Sequence, residues 1–319
     1  MEAERRLRKA ETLSEKVDAV LLFSGEYNPN YFYFTNSTVS SSFFLYDFSS
    51  ASVITNAMEF GRAKKGWVTP SVSNFSDIKA LLEGKKVGID FKHSGTILSH
   101  FPGAIDVSGD MERIRAVKTD YEIAQITKAC GFSKKVWKYA EREFSHSLKE
   151  TEMKALMESK MLALGVERSF RTIVASGKNS RFPHHVALPV KMKPPVVIDF
   201  GIIFNGYCSD VTRTIGGDTK RLSRILSELY AFMEEGMVAR RAEEFVRAKM
   251  GKEAKYFIHS LGHGIGLEVH ESPSISMKSD NVLERNTVFT IEPGLYDKTG
   301  TRIENDFVFR GKLKNLTQF

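Results

Sequence analysis

The apolar positions fall into two textures along the chain. In the first third, short apolar runs alternate with helix-like segments. DAVLLF (18–23) and KKVGID (85–90) read as buried strands, and SSFFLYDF and ASVIT (41–55) as two short strands around a serine-rich turn. Between them AMEFGRAKKG (57–66) has helical character and stops at a glycine, and TILSHF (96–101) reads as helix. This is the alternation of a small α/β domain. The segment that follows is helical, with Asp120 as the candidate cap and Ile123, Ile126, Cys130 and Trp137 forming one apolar stripe. A further helix is expected from about 150 to 164, ending at Gly165. From TIVASG onward, β-branched runs alternate with Gly, Pro and Asn turns, interrupted by one helical stretch at about 219–250. The expectation is an α+β chain: an α/β domain over 1–118, then a curved antiparallel sheet covered by helices over 119–319.

Length and composition narrow the class. A chain of 319 residues with 42% hydrophobic and 27% charged residues is ordinary for a soluble protein of two domains. No apolar run approaches a membrane span, and the charged N-terminus MEAERRLRKAETLSEK lacks the apolar core of a secretory signal. Two cysteines, Cys130 and Cys208, make no disulfide framework. A cytoplasmic protein without a membrane partner is expected. The net charge of +7 is spread among acids, so no basic face for nucleic acid is legible.

The candidate chemistry lies in the second domain. In VVIDFGIIFNGYCSDVTRTI (196–215), Asn205-Gly206 signals a two-residue β-turn. That turn pairs Phe204 with Tyr207, faces Gly201 with Asp210 and Asp199 with Thr212, and puts both aspartates on one face of the hairpin as diagonal neighbours. Two carboxylates that close repel unless a positive group sits between them. Asp199 also follows an apolar run, and a buried carboxylate requires a partner. Glu292 in TVFTIEPGLY (287–296) and Glu304 in GTRIENDFVF (300–309) are acids in β-type sequence, with Arg302 on the face of Glu304. The spacings of the two acid pairs are similar, which suggests two related halves.

HSLGHGIGLEVHESP (259–273) holds His259, His263 and His270. Ser260 stands where a zincin helix needs its glutamate, and the alternating glycines oppose a helix. They suit an extended segment with another group pressed against its backbone. On a regular strand His259 and His263 share a face and His270 lies on the other, unless a bulge intervenes. RFPHHVALP (181–189) adds His184 and His185 in a loop.

In order, TIVASG, PHH, VIDFG…NGYCSDVTRT, HSLGHGIGLEVHESP, TIEPGLY and RIEN resemble the pita-bread metallopeptidases, in the Xaa-Pro dipeptidase (prolidase) and aminopeptidase P branch. The N-terminal part resembles, more loosely, the creatinase-type N-terminal domain. The resemblance implies two divalent cations held by Asp199, Asp210, His263, Glu292 and Glu304. Asp210 and Glu304 would bridge, Asp199 would complete one site, and His263 with Glu292 the other. Four carboxylates offset two dications, so the cluster is near neutral. Mn²⁺ is the first expectation for such donors, with Co²⁺, Zn²⁺ or Fe²⁺ as alternatives. His259, His270 and His184 match substrate-contacting histidines, with His185 an alternative to His184. Arg302 matches an arginine that orients the acids, and Glu292 the proton shuttle. The implied activity is hydrolysis of Xaa-Pro bonds in dipeptides by a homodimer. Alternatives are an aminopeptidase P acting on longer peptides, a creatinase-type amidinohydrolase, or a non-enzymatic binding module. The chain departs from the family at Pro194-Pro195, Asn305 and Asn36, where Gly-Asp, an acid and a Thr-Gly turn are more usual.

Overall fold

The computed structural model describes residues 2–319, and the chain forms two compact units, one ending at Ile114 and one running from Arg115 to Phe319. The first unit is built on β1 (Ala19–Ser24), β2 (Ser42–Tyr46), β3 (Ala51–Thr55), β4 (Pro70–Val72), β5 (Val87–Ile89) and β6 (Ile105–Asp106), in the order β4-β3-β2-β1-β5-β6. β1 pairs antiparallel with β2 and parallel with β5, so the sheet is mixed. Leu21, Ile54 and Ile89 bury against Ile78 and Leu82 of the helix Phe75–Leu82. Asn36 adopts the left-handed conformation (φ 50°) that ends the helix Pro29–Thr35, which accounts for asparagine at this turn. Two expected helices are reduced. Residues 57–66 contain only the turn Phe60–Ala63, and the segment at 96–101 is a 3₁₀ turn, Gly95–His100.

The second unit is the antiparallel sheet covered by helices expected of a pita-bread domain. Its helix Asp120–Glu143 is capped by Thr119, not Asp120. The Thr119 hydroxyl accepts the Glu122 N–H, and Glu122 returns the bond to the Thr119 N–H. That helix and Glu150–Ala163 pack Val136, Trp137, Met153 and Met157 against Val196, Ile198, Phe200 and Val211. These apolar side chains come from β9 (Val196–Phe200) and β12 (Val211–Ile215), which form a sheet with β8 (Ile173–Ser176) in the order β12-β9-β8.

A second layer repeats this plan. The expected single helix at 219–250 is two helices, Lys220–Phe232 and Arg240–Met250. The chain breaks between them because Gly236 and Ala239 donate their N–H groups to Leu283 and Asn281 instead of continuing a helix. Leu226, Leu229 and Val246 then pack on Phe289, Ile291, Phe307 and Phe309. These belong to β15 (Val288–Ile291) and β18 (Asn305–Phe309), central in a sheet with β13 (Gly262–Gly264), β14 (Glu271–Ile275) and β19 (Leu313–Asn315). In both layers alternate residues face the helices, so Asp199, Thr212 and Thr290 are left on the opposite face. Among the described residues no helix is long and apolar enough to cross a membrane.

Candidate metal centre

The Asp hairpin forms in the register that its turn dictates. Asn205 (φ 48°) and Gly206 (φ 82°) make the turn between β10 (Ile202–Phe204) and β11 (Tyr207–Cys208). Phe204 pairs with Tyr207, and Asp199 with Thr212. Asp199 and Asp210 therefore share a face and line one cavity of about 510 Å³ with His184, His185, His259, His263, His270, Glu292, Arg302 and Glu304.

Thr212 joins this hairpin to the glutamate strands. Its hydroxyl donates to Glu304 Oε2 at 2.7 Å and accepts from Arg302 Nε at 3.0 Å, while its carbonyl accepts the Glu304 N–H at 3.1 Å. Arg302 leaves β17 (Gly300–Arg302) buried, and its Nη2 donates to Asp199 Oδ2 at 2.5 Å. Glu292 lies just beyond β15 and its N–H donates to the Leu261 carbonyl, which sets it beside the histidine strand.

The histidine segment is not one strand. The β13–β14 register shifts between His263 and Gly264, and the chain turns back over 265–270. The antiparallel return pairs His263 with Ser274 and so puts His270 on the face of His263, a parity that the two-residue shift keeps, and the two rings lie 4.2 Å apart, centroid to centroid. The glycines are needed for close approach. A Cβ on Gly262 would overlap the Thr290 carbonyl, and one on Gly264 the Ser272 carbonyl.

The tautomers follow from fixed acceptors. His263 Nδ1 donates to the Gly264 carbonyl at 3.1 Å, so Nε2 carries the lone pair. Nε2 points at carboxylate oxygens of Asp210 (3.8 Å) and Glu292 (3.7 Å). Burial, with His270 beside it, lowers the His263 pKa to about 3. His259 Nδ1 donates to the Ser260 carbonyl at 2.8 Å, and its Nε2 accepts from the Tyr296 hydroxyl at 3.0 Å. Tyr296 in turn accepts from Arg302 Nη1 at 3.0 Å. Burial and Arg302 lower the His259 pKa to about 4, so both imidazoles are neutral.

The acids are pushed the opposite way. Burial, then the charge of Glu304, raises Asp210 and Glu292 well above the usual carboxylate range. Burial and Asp199 raise Glu304 to about 8. Asp199 is raised by burial against the pull of Arg302. Buried Asp199 Oδ1 and Asp210 Oδ1 have no hydrogen-bond partner among the described residues. Donor atoms of Asp210, His263 and Glu304 lie within 4.8 Å of one another. Mutually repelling carboxylates, orphaned buried oxygens and a bare imidazole nitrogen backed by a carbonyl fit a divalent-cation site.

The two adjacent histidines divide. His185 Nε2 is bonded to buried Glu150 at 2.8 Å, whereas His184 is exposed at the cavity. Tyr296 and Asp306 were not singled out from the sequence. Asp306 is buried and its Oδ2 accepts the Asp210 N–H. An acid inside the apolar run DFVF invites the same question as Asp199, and that signal could have found it. A tyrosine two residues beyond Gly294 carries no such mark.

The chain matches Metallopeptidase family M24 over residues 124–310 and the Creatinase/Prolidase N-terminal domain over residues 5–117. It is 33% identical to the Xaa-Pro dipeptidase of Pyrococcus furiosus, over 91% of each chain. Its structure is similar to that of the prolidase from Pyrococcus horikoshii (TM-score 0.88, 31% identity, 98% of each chain covered). It is also similar to that of the X-Pro aminopeptidase from Thermotoga maritima (TM-score 0.88, 28% identity, 98% of each chain covered). With this agreement over nearly its whole length, the chain belongs to metallopeptidase family M24 and carries a creatinase/prolidase N-terminal domain.

Proposed function

We propose that the protein is a metal-dependent Xaa-Pro dipeptidase. The observation that carries this reading is the convergence of Asp199, Asp210, His263, Glu292 and Glu304 on one cavity, with His263 Nε2 bare and turned toward the acids. Asp210 and Glu304 would be shared by two divalent ions, Asp199 would complete one site, and His263 with Glu292 the other. Mn²⁺ suits this oxygen-rich set best, with Co²⁺, Zn²⁺ or Fe²⁺ as alternatives. Bound ions would supply Lewis acidity toward the scissile carbonyl and toward a water.

The remaining work falls to the protein's own groups. Glu292 is more open to the cavity than Asp199 or Asp210, with its side chain 16% exposed against 10% and 7%. In this reading it takes the proton of the attacking water as the new C–O bond forms. It then delivers that proton to the proline nitrogen as the C–N bond breaks, releasing Xaa and proline. That delivery lets the nitrogen leave as a neutral amine instead of an amide anion, while the tertiary amide offers no N–H donor for a generic peptidase to hold. His184 and His270 would donate hydrogen bonds to the substrate carbonyl and the developing oxyanion. His259, fixed by Ser260 and by the chain Arg302–Tyr296–His259, would contact the proline side with its ring. Arg302 would fix Asp199.

The dipeptide preference is supported by the Pyrococcus relatives, the longer-peptide alternative by the Thermotoga structure. Protein reloaded with Mn²⁺ should cleave Ala-Pro well and Ala-Pro-Ala poorly. A reversed ratio would make it an aminopeptidase P, and no cleavage of either after reloading would overturn the reading. A homodimer and a cytoplasmic location are part of the proposal. The first rests on the family resemblance, and a monomer by light scattering would overturn it. The second is supported by the two buried free cysteines, and recovery outside the cytoplasm on fractionation would overturn it.

A further inference from the structure

Two guanidinium groups line the cavity, and they differ in how far they are committed. Arg302 is committed at all three of its nitrogens. Its Nη2 bonds Asp199, its Nε bonds Thr212 and its Nη1 bonds Tyr296, all in a buried setting. Arg171 is exposed, and its guanidinium makes no hydrogen bond or ion pair with any described residue.

The backbone fixes where Arg171 stands. Ile173, the first residue of β8, pairs with Asp199. Arg171 precedes it by two positions and so continues the face of Ile173. The Ser169 N–H donates to the Gly201 carbonyl, which holds this approach to β8 alongside the Asp hairpin. The same cavity is also lined by the apolar residues Phe170, Ile173, Val186 and Val269.

Charge decides what such a group can do. Two divalent ions would offset the four cavity carboxylates, Asp199 among them, so both guanidinium groups are surplus positive charge, and Arg302 is tied down by its bonds to Asp199, Thr212 and Tyr296. Arg171 is then the cation left to meet an incoming anion. Its planar fork matches a carboxylate in two bonds. We infer that Arg171 is a substrate-anchoring and specificity-determining residue that pairs with a carboxylate of the substrate. The carboxylate is either the free C-terminus of the dipeptide or the side chain of an acidic residue before the proline. This inference rests on the Xaa-Pro reading.

The test compares Mn²⁺-loaded wild type with Arg171→Met and Arg171→Lys on four substrates: Ala-Pro, Ala-Pro amide, Asp-Pro and Asn-Pro. Removing one charge-assisted pair should raise KM roughly tenfold with little change in kcat. If the C-terminus is the partner, wild type loses that factor between Ala-Pro and its amide, and Arg171→Met shows no such difference. If an acidic side chain is the partner, wild type prefers Asp-Pro to Asn-Pro by that factor, and Arg171→Met loses the preference. In either case Arg171→Lys should recover part of the effect, and the unfolding midpoint should stay unchanged because the side chain is exposed. Either pattern supports the inference. If Arg171→Met matches wild type within about twofold on all four substrates that wild type cleaves, the inference is overturned while the Xaa-Pro reading stands. If wild type cleaves none of them, both fall.

Discussion

The backbone N–H of Asp210 donates to Asp306 Oδ2 at 3.0 Å, and the same oxygen takes the Cys130 thiol at 3.3 Å. A buried acid thus sets the backbone of a proposed bridging ligand. Burial raises its carboxyl to about 7 even though the Asp210 N–H bond opposes the shift. Asp306→Ala should leave that amide without its acceptor, lowering stability by about 1–3 kcal/mol. Divalent-ion affinity should fall by roughly 10–100-fold, as for other groups that orient ligands. Asp306→Asn keeps an acceptor and should stay close to wild type. Ion titration by calorimetry checks both, and wild-type affinity in Asp306→Ala would remove Asp306 from the centre.

Glu271, next to His270, is clasped by Arg115 and by Lys118, the latter at 3.0 Å. Burial alone would raise its carboxyl, but Arg115 and then Lys118 outweigh it and hold the pKa at about 2, below the ordinary 4.5. The folded state therefore binds this proton less readily than the unfolded chain. The cluster's stabilisation should be complete above about pH 4.5 and be lost as pH falls toward 2. Glu271→Gln should flatten that part of the acid limb in urea-unfolding curves taken across pH. An unchanged slope would mean that the ion cluster does not couple to folding.

Gly262 and Gly264 flank His263, and each has a carbonyl pressed where a side chain would begin. Gly262→Ala must therefore push β13 away from Thr290, whose hydroxyl accepts the His263 N–H at 3.2 Å. Overpacking of this kind costs about 1–3 kcal/mol. The larger consequence is a displaced His263, so Mn²⁺ affinity should drop along with the thermal midpoint. A variant that loses neither would show that the strand can shift freely.

Much of this centre was legible because its chemistry is written in local pattern. Asn205-Gly206 dictated the turn, the turn dictated the pairing, and period two then put Asp199 and Asp210 on one face. Where the outcome depended on distant contacts, local pattern misled. The 219–250 segment reads as one helix, yet it breaks where Gly236 and Ala239 pair with Leu283 and Asn281. Alternation along one strand set His270 apart from His263, and the turn from β13 back into β14 brought them to one face. Tyr296 enters only through its hydrogen bonds to His259 and Arg302, which no spacing reveals. Asp120 and Thr119 both suit a helix start, and Glu122, three residues past Thr119, decides for Thr119.

His184 and His185 are neighbours with separable roles. Glu150 is buried and accepts from Ser176, Asn179, the Leu188 N–H and His185. Burial opposes ionisation, yet these donors together hold its carboxyl below the usual range. His185→Ala removes one of them and should cost about 1–3 kcal/mol of stability. The folded fraction should keep most of its kcat/KM, because the ring is turned to Glu150. His184 has no such anchor and faces the cavity. His184→Ala should leave the unfolding free energy within about 0.5 kcal/mol of wild type. It should lower kcat/KM on Ala-Pro by roughly 100-fold, the scale of one proton-handling or oxyanion-binding side chain. Thermal unfolding and steady-state kinetics on the two variants separate the assignments. A stability loss in His184→Ala together with an activity loss in His185→Ala would exchange the two roles.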